Sequence, residues 1–279
     1  MLFETGWVTA VQGEICHRGG MRVTGVDACR RGWVAVSLVA VGLKVPRPGT
    51  ARAGGPRVEE IRVHESLAGV LGAGAPGADA PGAGAPGAEA PGAGVPEEDE
   101  ATVVGIDMPL GLLESGWREA DLAARDLLGP RRSSVFAIPP RAVWAQASYQ
   151  AANRRCRELT GHGFSIQAWG LRAKLLEADR YRGTCGHPLY EVHPELAFAA
   201  MRGAPLAHSK HTAAGRDLRR GLLDQVGLVV PRLPLAPVTD TLDAAAVAWS
   251  AWRIATGRAT VIPVHPQRDD RGHDIAIRY

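Results

Sequence analysis

"RVTGVDACRRGW", residues 22–33, decides how the rest of the chain is read. An apolar, β-prone run ends on Asp27, and two arginines and a glycine follow directly. "ATVVGIDMPLG", residues 101–111, repeats the pattern: a Val/Ile run, then Asp107, then a proline and a glycine. Two buried strands that each end on an acid suggest an α/β sheet whose functional chemistry sits at the strand ends, where open sheets place their ligands.

Working outward, "WVAVSLVAVG" (33–42) reads as a second strand and "VEEIRVHES" (58–66) as a third. The short turns between these three predict antiparallel pairing. "TVVGIDMP" is the fourth strand, and "LYEVHPELAF" (189–198) contains a short fifth. Between and after them the apolar period becomes helical, in "READLAARDLLG", "SYQAANRRCRELTG", "SIQAWGLRAKLLEADRY", "AAGRDLRRGLLDQVG" and "DTLDAAAVAWSAWRIATG". An antiparallel meander followed by isolated strands separated by helices predicts a mixed sheet, with strands 1–3 antiparallel, strands 4 and 5 parallel, and helices on its faces.

From Gly72 to Pro96 a five-residue Ala-Pro-Gly repeat interrupts this order, and the acidic "EEDE" follows it. Its composition offers no core residues to offset the entropy of ordering, so residues 72–100 read as a disordered insertion. Residues 1–20 read as a disordered extension ahead of Met21, residues 21–263 as a single domain and residues 264–279 as a C-terminal tail. Either Met1 or Met21 suits a start.

The chain has 279 residues, is 46% hydrophobic and carries a net charge of +3. That balance is enough for a sizeable core and too mild to indicate nucleic acid by itself. Four scattered cysteines without a C-x-x-C pair exclude a zinc ribbon and fit a reducing, cytoplasmic setting. No apolar run is long enough for a membrane span, and residues 1–20 lack the build of a secretory signal.

If the strands of Asp27 and Asp107 are parallel neighbours, their ends lie about 5 Å apart. Two carboxylates that close repel unless a proton or a cation sits between them. A hard divalent cation, Mg²⁺ or Mn²⁺, is the natural partner. Further acids fall near: Glu191 in the fifth strand, His193 and Glu195 just after it, and Asp240 and Asp243 opening the last helix. Acids from two strands, a third strand and a helix start can hold two ions, the arrangement that cleaves a phosphodiester. Each also has a plainer reading. Asp27 can bind turn amides, Asp240 can be an N-cap, Glu191 can pair with an arginine and His193 can be an ordinary core histidine.

"GPRRSSVFAIPPRAVW" offers Arg131, Arg132, Ser133 and Arg141 beside aromatics, and "HSKHTAAGR" offers Lys210 and Arg216 before a helix. These suit phosphate contacts. A solvated loop and routine capping are the alternatives.

Taken together, "GVDACRRGW", "IDMPLG", "RRSSVFAIPPR", "GFSIQAWGL", "YEVHPELAF", "SKHTAAGR" and "DTLDAAAVAW" resemble the domain-of-unknown-function 429 family, over residues 23–263. The resemblance implies an RNase H-like fold and a nuclease. It places metal-binding acids at Asp27, Asp107 and Asp243; the position of Glu191 in the sequence makes it the further ligand we add, with Glu195, His193 and Asp240 behind it. It also makes nucleic acid the expected substrate. A non-catalytic binding module is the alternative. An actin-like ATPase is a weaker one, because "DACRRGW" lacks the hydroxyl such enzymes use on phosphates.

Overall fold

A computed structural model of the chain describes residues 21–40, 55–72, 103–184, 186–234 and 236–279. The extension at 1–20 and all of the Ala-Pro-Gly insertion except Gly72 lie outside the described residues.

The main sheet contains β1 (Met21–Cys29), β2 (Gly32–Ala40), β3 (Arg57–His64), β4 (Val103–Asp107) and β5 (Leu189–Glu191), in the order β3-β2-β1-β4-β5. β1 pairs antiparallel with β2, and β2 with β3; β4 runs parallel to both β1 and β5. This is the mixed five-stranded sheet that the sequence predicts. α1 (Leu67–Leu71) follows β3. After β4 come α2 (Glu119–Leu128), a 3-10 turn over Gly129–Ser134, α3 (Arg141–Trp144), α4 (Tyr149–Thr160), α5 (Ile166–Gly170) and α6 (Arg172–Tyr181). α7 (Pro194–Arg202), α8 (Ala213–Gln225) and α9 (Val238–Ala255) follow β5.

The sheet is covered on both faces. Val23, Val34, Val36 and Leu38 pack with α7, α8 and the alanine-rich side of α9. Val26, Val104 and Ile106 pack with α1 and the α3–α6 group, around Trp144 and Phe164. This accounts for the continuous apolar runs of β1 and β4, since a strand buried on both faces has no polar side.

The contact between α9 and the sheet is unusually close. A Cβ on Gly25 would lie 2.0 Å from the backbone nitrogen of Ala248, and one on Gly105 would lie 3.1 Å from Val247 Cγ1. Gly25 and Gly105 are register partners, as are Val26 with Ile106 and Asp27 with Asp107. The repeated Gly-(Val/Ile)-Asp triplet is therefore one structural unit. The glycines let α9 approach, and two positions on, the acids stand under its first turns.

Residues 264–279 are not a tail. Residues 261–268 (β6) and Asp274–Arg278 (β7) form an antiparallel hairpin. Ile275 and Ile277 bury themselves against Ala120, Ala124 and Leu128 of α2. A bridge between Val192 and Arg278 sets β7 beside the end of β5 and shields that sheet edge. Among the described residues, no helix is long and apolar enough to cross a membrane.

Candidate active site

The carboxyl ends of β1 and β4, the start of α9 and the turn before α8 enclose a cleft of about 250 Å³. Asp27, Asp107, Asp240, Glu191, His193 and Lys210 line it, with Ser134, Phe136, Met108 and Pro109 on its walls.

Asp27 and Asp107 meet as the register requires, and both line the cleft. Burial, followed by the charges of Asp107 and Asp243, holds the Asp27 carboxyl well above the usual carboxylate range. Burial also pushes Asp107 up to about 6, although His193 beside it pulls the other way. Among the described residues, no arginine pairs with either acid.

Asp243 is 1% exposed, and its Oδ2 accepts a hydrogen bond from Lys210 Nζ at 2.6 Å. Burial opposes the charge on Lys210, but Asp243 foremost, then Asp27 and Asp107, outweigh it and raise the lysine's pKa. Asp240 is not the N-cap of α9, because Pro237 holds that place and Asp240 falls in the first turn. The Asp240 carboxylate accepts from Thr239 Oγ1, and burial raises its pKa.

Glu191 has a different setting. Its Oε2 accepts from the backbone N–H of Leu110 at 2.7 Å and from Arg118. Arg118 is fully buried and also lies 3.6 Å from Asp121. A guanidinium without water needs fixed counter-charges, and Glu191 is one of them. Its expected role as a metal ligand does not match this pairing; it fastens the loop after β4 to β5. Glu195 is likewise bound to the buried Arg219, with Arg131 at 3.9 Å, a setting that does not match the expected ligand role. His193 is the N-cap residue of α7. Its Nε2 faces the carbonyl oxygen of Ser134 at 3.2 Å, which assigns the proton to that nitrogen and leaves the buried Nδ1 without a partner.

The expected phosphate contacts divide similarly. Arg131, Arg132 and Ser133 sit on the 3-10 turn at the rim, with Arg132 and Ser133 exposed. Arg141 is committed elsewhere, pairing with Asp179 at 2.7 Å and with Asp270 at 2.7 Å. Arg216 donates to the carbonyl of His211 at 2.8 Å and braces the loop of Lys210 without lining the cleft. Sequence reading overlooks Arg118 and Asp121. Their i, i+3 spacing is the only signal, and it resembles an ordinary solvated helix start. Burial pushes the Asp121 carboxyl up to about 7 against the pull of Arg118.

Among the described residues, no three His, Cys, Asp or Glu side chains close on one point as metal ligands. The donor set at Asp27 and Asp107 nevertheless has the chemistry of a hard-cation site: oxygen only, acidic and, among the described residues, without an arginine of its own. A divalent cation fits that pair, with Asp243 as the next carboxylate.

Residues 25–268 match the family described as "Protein of unknown function (DUF429)". No curated protein and no solved structure matches the chain.

Proposed function

On the premise that the chain belongs to the DUF429 family, we propose that it is a divalent-cation-dependent phosphodiesterase acting on nucleic acid. One observation carries this reading: two carboxylates lie in register at the ends of adjacent parallel strands, both on the wall of one cleft, and among the described residues no arginine pairs with either. The strand order β3-β2-β1-β4-β5, with a third acid on a late helix, also supports the RNase H-like resemblance.

Asp27 and Asp107 would hold Mg²⁺ or Mn²⁺, with Asp243 behind them. The bound cation supplies a polarised phosphoryl oxygen and a water acidic enough to attack near neutral pH. The chain's own residues do the rest. His193, when protonated, tempers the charge on Asp107. Lys210 presents an ammonium to the acids from the opposite wall. Arg132 and Ser133 offer donors to a backbone phosphate at the rim, and Phe136 gives an apolar wall beside them. The turn after Asp27 is too tight for an ATPase loop. It spans two residues between Cys29 and Gly32, and a Cβ on Gly32 would lie 2.0 Å from the carbonyl of His64.

The test uses labelled single-stranded, duplex and hybrid oligonucleotides, with Mn²⁺ and with EDTA. We expect Mn²⁺-dependent cleavage of at least one substrate, reduced at least about a hundredfold by Asp27→Asn, because even groups that only support a metal ligand are worth about 10–100-fold. Absence of cation-dependent cleavage, or an unaffected Asp27→Asn, overturns the reading.

A further inference from the structure

Lys210 stands against the third acid of the cleft, Asp243. Its Nζ is 2.6 Å from Asp243 Oδ2, in charge contact with Asp27 and Asp107, although the side chain as a whole is 35% exposed. A loose surface lysine would not hold such a position, and this one is built in.

The turn that carries it is closed by bonds from Thr212 N at 3.1 Å and Thr212 Oγ1 at 2.8 Å to the carbonyl of Ser209. Thr212 Oγ1 in turn caps α8 by accepting from the N–H of Gly215. A Cβ on Gly215 would lie 1.9 Å from the Ser209 oxygen, so only glycine lets the turn press this closely on α8. The buried Arg219 adds a bond to the carbonyl of His208 at 3.2 Å. Four hydrogen bonds and one glycine contact on neighbouring residues therefore aim one ammonium at the acids.

The groups facing Lys210 are Asp243, Asp27, Asp107 and, more weakly, Asp240. Asp27, Asp107 and Asp243 carry three negative charges when ionised. One divalent cation and one ammonium balance them. A second divalent ion shared with Asp243 would have to displace the ammonium from its oxygen or sit against a like charge.

We infer that the site takes a single divalent cation at Asp27 and Asp107, and that Lys210 is a built-in second cation which fixes that stoichiometry by occupying Asp243. The inference rests on the phosphodiesterase reading for its purpose but not for its test. Lys210 then fills the place of an exchangeable ion.

Titration calorimetry with Mn²⁺ alone, on the full chain and with no nucleic acid, reads the stoichiometry directly. We expect one Mn²⁺ per wild-type chain, one in Lys210→Arg, and a second, weaker equivalent in Lys210→Ala. Electron paramagnetic resonance of Mn²⁺ should show an isolated ion in the wild type and a spin-coupled pair in Lys210→Ala. Two ions in the wild type overturn the inference and leave the phosphodiesterase reading standing, whereas none overturns both. A folded Lys210→Ala that still takes one ion also overturns it. If that variant does not fold, the wild-type count alone decides.

Discussion

Asp27 and Glu191 are both acids at strand ends, both less than a tenth exposed and both on the wall of one cleft, yet their surroundings differ in kind. Glu191 has a backbone N–H and a buried arginine that it shares with Asp121, and Glu195 has Arg219. Asp27 faces two further acids, Asp107 and Asp243, and one ammonium, Lys210, which is hydrogen-bonded to Asp243. On the β5–α7 side each acid is neutralised within the fold and serves as a fastening. On the β1–β4 side the fold leaves negative charge unbalanced, which costs stability unless something outside the chain supplies the balance. Burial of an acid is thus no guide to function until its partner is known.

The largest effect should come from breaking a pair on the neutralised side. Arg118→Met removes the guanidinium between Glu191 and Asp121 and leaves both acids buried without a cation. Loss of one partner of such a pair costs about 3–5 kcal/mol. In a chain of this size that corresponds to a drop in Tm of roughly 10 °C. Calorimetry of the variant, with and without Mn²⁺, checks it. A Tm within about 2 °C of wild type would mean the two sides of the cleft do not differ as described.

The sheet was legible because burial writes itself into composition. β1, β2 and β4 carry mainly apolar runs, and in β1 and β4 the run leads into an acid, a group that cannot be buried cheaply. Asp27 and Asp107 were legible for the same reason, because a charge at the end of a two-faced strand stands out. The partners were not. Arg118 is 73 residues from Glu191, and nothing in "SGWREADL" marks an arginine that will lose all its water. Glu191 therefore looked like a free ligand, and Arg141 like a phosphate contact. The final hairpin was hidden by Pro263, Pro266 and the run "QRDDRGHD", which blur the alternation of a strand. Its apolar half, Ile275 and Ile277, becomes informative only once α2 is seen to need a cover.

A subtler difference should appear in how stability depends on pH. Asp107 titrates near 6 in the folded chain against about 4 in an unfolded one. The folded state therefore holds this proton more tightly. The stability it contributes is complete below about pH 4 and is lost as pH rises through 6. In EDTA, Asp107→Asn should show a flatter fall in Tm between pH 5 and 7 than wild type. Asp121, at about 7, adds a fall of the same sign, but it sits beside Arg118. Saturating Mg²⁺ should remove the Asp107 part and leave the Asp121 part, since a cation stabilises only the acids it touches. If Mg²⁺ leaves the wild-type pH profile unchanged, the β1–β4 acids are not where it binds.

The smallest effect lies at the rim, where Arg132 and Arg141 share a motif but not a setting. Arg132 is exposed on the 3-10 turn, while Arg141 is fixed between Asp179 and Asp270. A free arginine that meets a phosphate releases about one counterion, so Arg132→Ala should lower the salt dependence of oligonucleotide binding by about one unit of log–log slope. KM should rise a few-fold while kcat and Mn²⁺ binding hold. Arg141→Ala should leave the slope alone and lower Tm instead, because its charges are already spent inside the protein. Fluorescence anisotropy at several salt concentrations separates the two variants. Equal slopes for both would place the phosphate path on another face of the cleft and leave the acids at its floor untouched.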